Sequence, residues 1–481
     1  MTFRKILYID LDGTLIQTDT LWESALLHWK LTIFAPLLWI FWLRKGKSYL
    51  KHNIAENAIP DASVLPYNNE VISVINNHKS NGGLVYLATA ANHKVAQTIA
   101  DYLGIFDGVL ASSPHHNLSR HNKADELLRH AHGEFDYIGN SSDDIPVWEK
   151  SGRIALVGKK SLIPSSHSHI PIIFHADNSV SSFHAIIKAL RVYQWVKNLL
   201  LFLPLILAHR FGDIPLFIQG VIAFFCFSFC ASSIYILNDL LDIENDRHHI
   251  RKKNRPFAAG ILSIPLGLVL IPLLLATAFF SALHYLPIGF VFALLCYLIV
   301  TVSYSFGLKK TPVLDVIILA GLYTFRVLSG GIGLNIRISP WLLMLSIFLF
   351  LSLAFVKRYA EIISMEKKEQ HQAKGRGYRT EDKPILGMTG VASGIVSVLV
   401  FVQYLRSNEV VHLYHNSHLL WLVPPLFLYW IAHVWFIANR NQMHDDPIIF
   451  AAKDKTSYLV FGIISIIILL AMSHLNIPRP W

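Results

Sequence analysis

The sequence predicts two folds in one chain: an α/β domain with a parallel sheet over residues 1–160, and an all-α bundle of about nine transmembrane helices over residues 188–481. Residues 161–187 are expected to be a linker between them. Three observations carry this reading. Strand-like and helix-like segments alternate through the first 160 residues. From about Leu199 onward, one apolar stretch follows another, each near the roughly 20 residues that cross a bilayer. The whole chain is 53% hydrophobic and only 15% charged, against about a quarter charged in soluble proteins.

In the first part, "KILYIDLD", "GLVYLATA", "FDGVLAS", "FDYIGN" and "RIALVG" are short runs rich in β-branched and aromatic residues, read as buried strands. "NHKVAQTIADYLG" and "KADELLRH" are helical stretches between them. Alternation of this kind predicts a parallel sheet covered by helices, with ligands at the carboxyl ends of the strands. Polar residues gather at those ends. Asp10 and Asp12 end the first strand, Thr89 ends the second, Lys123 opens a later helix, and Asn140, Asp143 and Asp144 follow "FDYIG". Phosphoryl transfer through an aspartyl-phosphate needs this set: a carboxylate nucleophile, a second acid, donors for phosphoryl oxygens and carboxylates for a magnesium ion.

Between the first two strands, around residues 20–70, lies an insertion placed to cap such a site. It contains "LTIFAPLLWIFWLRKGKSYLK", whose thirteen apolar-biased residues are too few to span and end in basic residues. Two readings stand open: a helix lying in the membrane interface, or a packed cap helix.

The nine candidate spans fall at about 190–208, 214–237, 262–282, 286–304, 313–331, 340–356, 385–405, 418–438 and 457–474. The loops after the second, fourth, sixth and eighth carry eighteen Lys and Arg, against four on the other side. Positive residues favour the cytoplasmic side. The expectation is therefore a multi-pass inner-membrane protein with its N-terminal domain and its acidic clusters in the cytoplasm. The net charge of +10 is then membrane-side basicity, and no nucleic-acid partner is expected. The three cysteines, Cys226, Cys230 and Cys296, lie in apolar runs without metal or redox spacing.

Two polar stretches interrupt the apolar pattern. "NDLLDIEND" (238–246) places Asn238, Asp242 and Asp246 four residues apart, with Asp239 three before Asp242, so that all share one face of a continuous helix. Carboxylates at the end of a membrane helix are costly and usually functional, and several on one face favour a divalent metal holding a diphosphate. The connection from fourth to fifth span carries Lys309, Lys310 and Asp315, with Arg326 three turns further on.

The N-terminal set resembles the haloacid dehalogenase (HAD) phosphatases, a Rossmann-like α/β superfamily, over about residues 5–160. The resemblance implies that Asp10 is the nucleophile and Asp12 the acid/base, and that Thr89 and Lys123 hold the phosphoryl group. It implies that Asp10, the Asp12 carbonyl and Asp144 bind magnesium. Asn140 stands where the family motif usually has Asp, with Asp143 close by to compensate. The rest of the chain, about 185–475, resembles the UbiA superfamily of intramembrane prenyltransferases, on "NDLLDIEND". "LRVYQWVKN", "RKKNRPFAAG", "FVKRYAEI", "RGY" and "HDDP" look like its decaprenyl-phosphate phosphoribosyltransferase branch. That branch moves phosphoribose from phosphoribosyl pyrophosphate to a polyprenyl phosphate with Mg2+. The resemblance implies that Asp239, Asp242 and Asp246 bind Mg-diphosphate, that Lys197, Lys309, Lys357 and Arg358 contact phosphates, and that Asp445 and Asp446 bind ribose hydroxyls or the metal. Two alternatives remain open: a prenyltransferase using a polyprenyl diphosphate and an aromatic or other acceptor, and a non-catalytic lipid transporter or scaffold.

Overall fold

A computed structural model describes residues 3–32, 34–113, 116–177, 182–366, 377–407, 410, 413–443 and 446–473. The chain forms two compact units, one of residues 1–190 with 235–272, the other of 191–234 with 273–481.

The first unit is built on six parallel strands: β1 (Ile6–Ile9), β2 (Leu84–Asn92), β3 (Gly108–Ser112), β4 (Asp136–Gly139), β5 (Ile154–Val157) and β6 (Ile172–Ala176). Their order is β3-β2-β1-β4-β5-β6. This doubly wound order reverses direction between β1 and β4, and ligands bind at that switch point, beyond the carboxyl ends of the strands. The sequence-predicted strands all form. Residues 161–187, expected to be a linker, instead supply β6, which pairs with β5 from Ile154↔Ile172 to Val157↔Ala176, and most of a following helix. β2 also runs past Thr89 to Asn92, with a register shift between them.

Three helices, α1 (Thr20–Leu31), α2 (Ala35–Arg44) and α3 (Lys47–Asn57), fill the predicted insertion after β1. Asp19 starts α1 by accepting hydrogen bonds from the Leu21 and Trp22 amides, satisfying donors that the first turn leaves free. Further helices flank the sheet: α4 (Asn69–Ser80), α5 (His93–Leu103), α6 (Arg120–Ala131) and α7 (Ile145–Ser151). Asn68 and Asn92 cap α4 and α5 in the same way. Beneath the sheet's end, Leu7, Ile9, Leu87, Ile138 and Ala155 are fully buried in one apolar cluster.

Apolar helices make up most of the rest. α8 (Ser182–Leu190) leads to a 3-10 stretch, Val192–Phe202, and to α9 (Leu203–Leu207). α10 (Ile214–Leu241), α11 (Ile243–His248), α12 (Ile264–Tyr285), α13 (Ile288–Phe306), α14 (Leu314–Gly333) and α15 (Pro340–Glu366) follow. The remaining helices are α16 (Lys383–Leu405), α17 (Val423–Asn439), α18 (Pro447–Ala451) and α19 (Lys455–Met472). Among the described residues, eight helices are long and apolar enough to cross a membrane. The expected first span is bent by 47° between Phe183–Leu190 and Val192–Leu207, and counting it gives nine. α15 outruns the predicted 340–356 by ten residues, so Lys357 and Arg358 belong to the helix and not to a loop.

Candidate functional sites

At the carboxyl end of the sheet, Lys123 reaches from α6 to the loop after β1. Its ammonium lies 3.0 Å from Asp10 Oδ1 and 3.6 Å from Asp144 Oδ1, and donates to the Tyr137 hydroxyl at 2.7 Å. Tyr137 in turn donates to Asp144 Oδ1 at 2.7 Å. The other Asp144 oxygen accepts from the amides of Asn140 and Ser141 and from the Ser141 hydroxyl, which closes the loop after β4. Thr14 donates to Asn140 Oδ1 at 3.2 Å. Gly13 is what lets the two loops touch: its φ is +74°, and a Cβ there would run into the Asn140 amide.

Burial pushes Asp10 up to about 6 even with Lys123 beside it. Burial, then the nearby Asp19 carboxylate, pushes Asp12 up to about 8. Burial also opposes the Lys123 charge, but Asp10 and Asp144 outweigh it and raise its pKa. Two carboxyls pushed apart in this way are a pattern found where acid and base roles divide. Asp12 accepts the Thr20 amide at 2.7 Å and lines a cavity of about 50 Å³ with Lys51 of α3. The buried Thr89 hydroxyl accepts from the Ala91 amide. Thus Asp10, Lys123, Asn140 and Asp144 draw together as the sequence reading requires. Asp143 does not join them; it pairs with Arg120 on the exposed side. Tyr137, hidden in the middle of an apolar strand, was not anticipated.

The second cluster, also in the first unit, lies where α10 ends. Asp239 and Asp246 are both buried, and both bind one guanidinium: Arg255 Nη1 is 3.0 Å from Asp239 Oδ1 and 2.6 Å from Asp246 Oδ2. Burial raises the Asp246 pKa despite Arg255. The expected single continuous helix face is corrected here: α10 stops at Leu241, and half-buried Asp242 is the N-cap position of α11. Half-buried Asn238 keeps the turn in register by accepting the Asp242 amide at 3.0 Å. Arg255, previously only one of several loop cations, is the partner that joins the two buried acids. Among the described residues, no three His, Cys, Asp or Glu side chains are grouped so as to hold a metal.

The third cluster belongs to the second unit. Asp446, just before α18, binds Lys197 and Lys357 at 2.9 Å each and accepts from Tyr323 at 3.0 Å. Burial pushes the Asp446 carboxyl up, but Lys357 and Lys197 together pull it well below the usual range. Nearby, Arg326 bonds only neutral groups among the described residues: Asn198 Oδ1 at 2.9 Å, the Leu322 carbonyl at 2.7 Å and the Tyr297 hydroxyl at 2.9 Å. It also stacks over Tyr297 and Tyr323. Asp315, three turns before Arg326 on α14, takes Arg358 at 2.8 Å and the Tyr378 hydroxyl at 2.5 Å. Arg358 therefore has a buried carboxylate partner and a second one, Glu361, which weakens its claim as a phosphate contact. Lys309 sits half-buried in the turn Leu308–Lys310. Asp445 lies outside the described residues.

The UbiA prenyltransferase family model matches residues 199–452, more than half of the chain. The chain belongs to the UbiA prenyltransferase family. Relatives agree. Uncharacterized protein y4nM of Sinorhizobium fredii is 34% identical over 98% of this chain and 92% of its own length. Nodulation protein NoeC of Azorhizobium caulinodans is 31% identical over 56% of this chain and 87% of that protein. Decaprenyl-phosphate phosphoribosyltransferase of Corynebacterium glutamicum is 39% identical over 38% of this chain and 55% of that protein. Among solved structures, a UbiA homolog from Archaeoglobus fulgidus bound to GPP and Mg2+ aligns with TM-score 0.45 at 17% identity, over 59% of this chain and 99% of that one. This UbiA protein is an integral membrane transferase, and Asp239, Asp242, Asp246, Asp315, Arg326, Lys357 and Asp446 all lie within the family match.

The UbiA bundle carries an ion pair with a clear energetic consequence. Arg358 is 1% and Asp315 0% exposed at their side chains. Removing one partner from such a pair costs about 3–5 kcal/mol, whereas replacing both with apolar residues is often neutral. Asp315→Ala is expected to lower the apparent melting temperature in detergent, with Glu361 leaving the loss at the smaller end. Asp315→Leu combined with Arg358→Met should recover most of it. A single variant that melts with wild type would show the pair to be unimportant for stability.

Proposed function

We propose that this UbiA protein transfers phosphoribose from phosphoribosyl pyrophosphate to a polyprenyl phosphate, and that its N-terminal domain is a HAD-type phosphatase that removes the ribose 5-phosphate. One observation carries the transferase half. In the second unit, buried Lys197 and half-buried Lys357 both pair with Asp446, and buried Arg326, among the described residues, bonds only neutral groups. Buried cations in excess call for anionic ligands. Two phosphorylated substrates supply them; a diphosphate with an uncharged acceptor supplies fewer. The likeness to the phosphoribosyltransferase of Corynebacterium glutamicum supports the same choice.

In this reaction an oxygen of the lipid phosphate bonds to the anomeric carbon of the ribose as the bond from that carbon to pyrophosphate breaks. Lys197, Lys357 and Arg326 hold the phosphates and orient the pair. Asp239, Asp242 and Asp246 would supply hard oxygen donors for a magnesium ion only if Arg255, which spans the two buried ones, gave way. An ion held there would supply positive charge to offset what develops on pyrophosphate. In the N-terminal domain, an Asp10 oxygen bonds to the phosphorus of the 5-phosphate as its bond to ribose O5 breaks, Asp12 gives that oxygen a proton and Lys123 fixes the phosphoryl oxygens. Water, losing a proton to Asp12, then cleaves the aspartyl-phosphate to release inorganic phosphate and free Asp10. Asp10 and Asn140 would offer oxygens to a magnesium ion, and Asp144 would do so only with its loop-closing bonds to the Asn140 and Ser141 amides loosened. The basic loops favour a cytoplasmic face for the chemistry.

Purified protein given phosphoribosyl pyrophosphate labelled in the ribose, together with polyprenyl phosphate, should move label into the lipid extract. Label that stays in the aqueous phase, while labelled polyprenyl diphosphate alkylates an aromatic acceptor, would favour ordinary prenyl transfer.

A further inference from the structure

α2 presents an apolar surface that water alone does not explain. Phe34, Leu37, Leu38, Ile40, Phe41 and Leu43 are 40–69% exposed. Soluble surfaces rarely leave so large a contiguous patch bare. The inner side of the helix is fixed: Ala35 is fully buried, Trp39 donates to His28 Nδ1 at 3.2 Å, and Trp42 stacks on the same imidazole with centroids 5.6 Å apart. The outer side is thereby held outward.

The position of α2 is set by its predecessor. α1 turns Leu26, Leu27 and Lys30 toward a cavity shared with Leu240 and Leu241, the last residues of the membrane-crossing α10. Glu23 of α1 holds Arg247 of α11 through two oxygens, at 2.6 and 3.1 Å, in a buried ion pair. Gly260, with φ of +73°, lies against Gln17, where a Cβ would come within 2.6 Å of its carbonyl oxygen. α2 starts four residues after the end of α1, whose Lys30 lines that cavity with the last residues of α10. Exposed Lys30, Arg44, Lys45 and Lys47 flank it, and the Arg44 guanidinium lies 5.8 Å over Phe41. At ten residues it is too short to span, but a short apolar helix with basic ends suits the headgroup boundary, where its cations meet anionic lipid.

We infer that the outer face of α2 docks in the membrane leaflet at which α10 ends, with acyl chains against Leu37, Ile40 and Phe41 and anionic headgroups against the flanking cations. α3, packed on α2, carries Lys51, whose ammonium donates to the Ala90 carbonyl at 2.8 Å beside the Asp12 cavity. Docking therefore brings that cavity to the lipid surface, whatever its substrate. The inference does not rest on the proposed reaction.

The test uses the full chain in nanodiscs containing anionic phospholipid. Phe41→Cys in a Cys296→Ser background carries a bimane label; Cys226 and Cys230 are buried. Replacing the lipids with acyl-brominated ones should reduce emission at least two-fold at position 41. An exposed control on α5, Asp101→Cys, should keep its emission. Unquenched label at position 41, equal quenching at both positions, or ready disulfide crosslinking between two copies at position 41 would each overturn the inference, the last by showing a second copy on this face.

Discussion

Asp239→Asn is expected to abolish transfer, lowering the rate by about three orders of magnitude, equivalent to about 4 kcal/mol of barrier. The substitution keeps the side chain's shape and an oxygen able to accept from Arg255, but removes one of the two buried negative charges that Arg255 joins. Asp242→Asn should act in the same direction, because Asp242 occupies the break between α10 and α11, between the two acids in sequence. Both variants should elute from detergent like wild type, since neither leaves a new unpaired charge: the Arg255 cation retains Asp246. Initial rates with saturating substrates, measured alongside elution profiles, decide the matter. Substantial residual transfer by both variants would remove these residues from the reacting centre.

The second large effect is expected at Asp10. Asp10→Asn removes the carboxylate that faces Lys123 at 3.0 Å, while Asp144 and Tyr137 continue to hold the lysine. The domain should stay folded, because the sheet around it is fully buried and the loops after β1 and β4 keep their bonds through Thr14, Asn140 and Asp144. The variant should still consume phosphoribosyl pyrophosphate. Its lipid product should retain the 5-phosphate, whereas wild type should yield the dephosphorylated lipid ribose. Identical phosphorylated lipid from both would show that the N-terminal domain is not a second enzyme of this pair.

The parts that the sequence made legible share one physical feature: their residue types are costly where they stand. Asp10 at the end of an apolar strand and Asp239 at the end of an apolar helix announce themselves because burial of a charge needs compensation. Their partners do not. Tyr137 reads as one more apolar residue of β4, and Arg255 as one more cation of a basic loop, because pairing across 7 to 16 residues between different elements leaves no local periodicity. The helix break at Asp242 was equally hidden: no Gly or Pro marks it, and the i, i+4 spacing continues through it. Lys357 and Arg358 looked like loop residues because the apolar run ends at Val356. They stay helical because Asp446 and Asp315 meet them inside the bundle. β6 was missed for a simpler reason: its five residues follow the polar stretch "SSHSH" and carry a histidine within the strand.

Intact-mass spectrometry of the lipid extract, after purified wild-type protein is incubated with phosphoribosyl pyrophosphate, polyprenyl phosphate and Mg2+, tests the central claim most directly. The account predicts a new lipid whose mass exceeds that of polyprenyl phosphate by one pentose residue, preceded at early times by the same lipid carrying one more phosphate. Unchanged polyprenyl phosphate at all times, from protein that prenylates another acceptor under the same conditions, would contradict it.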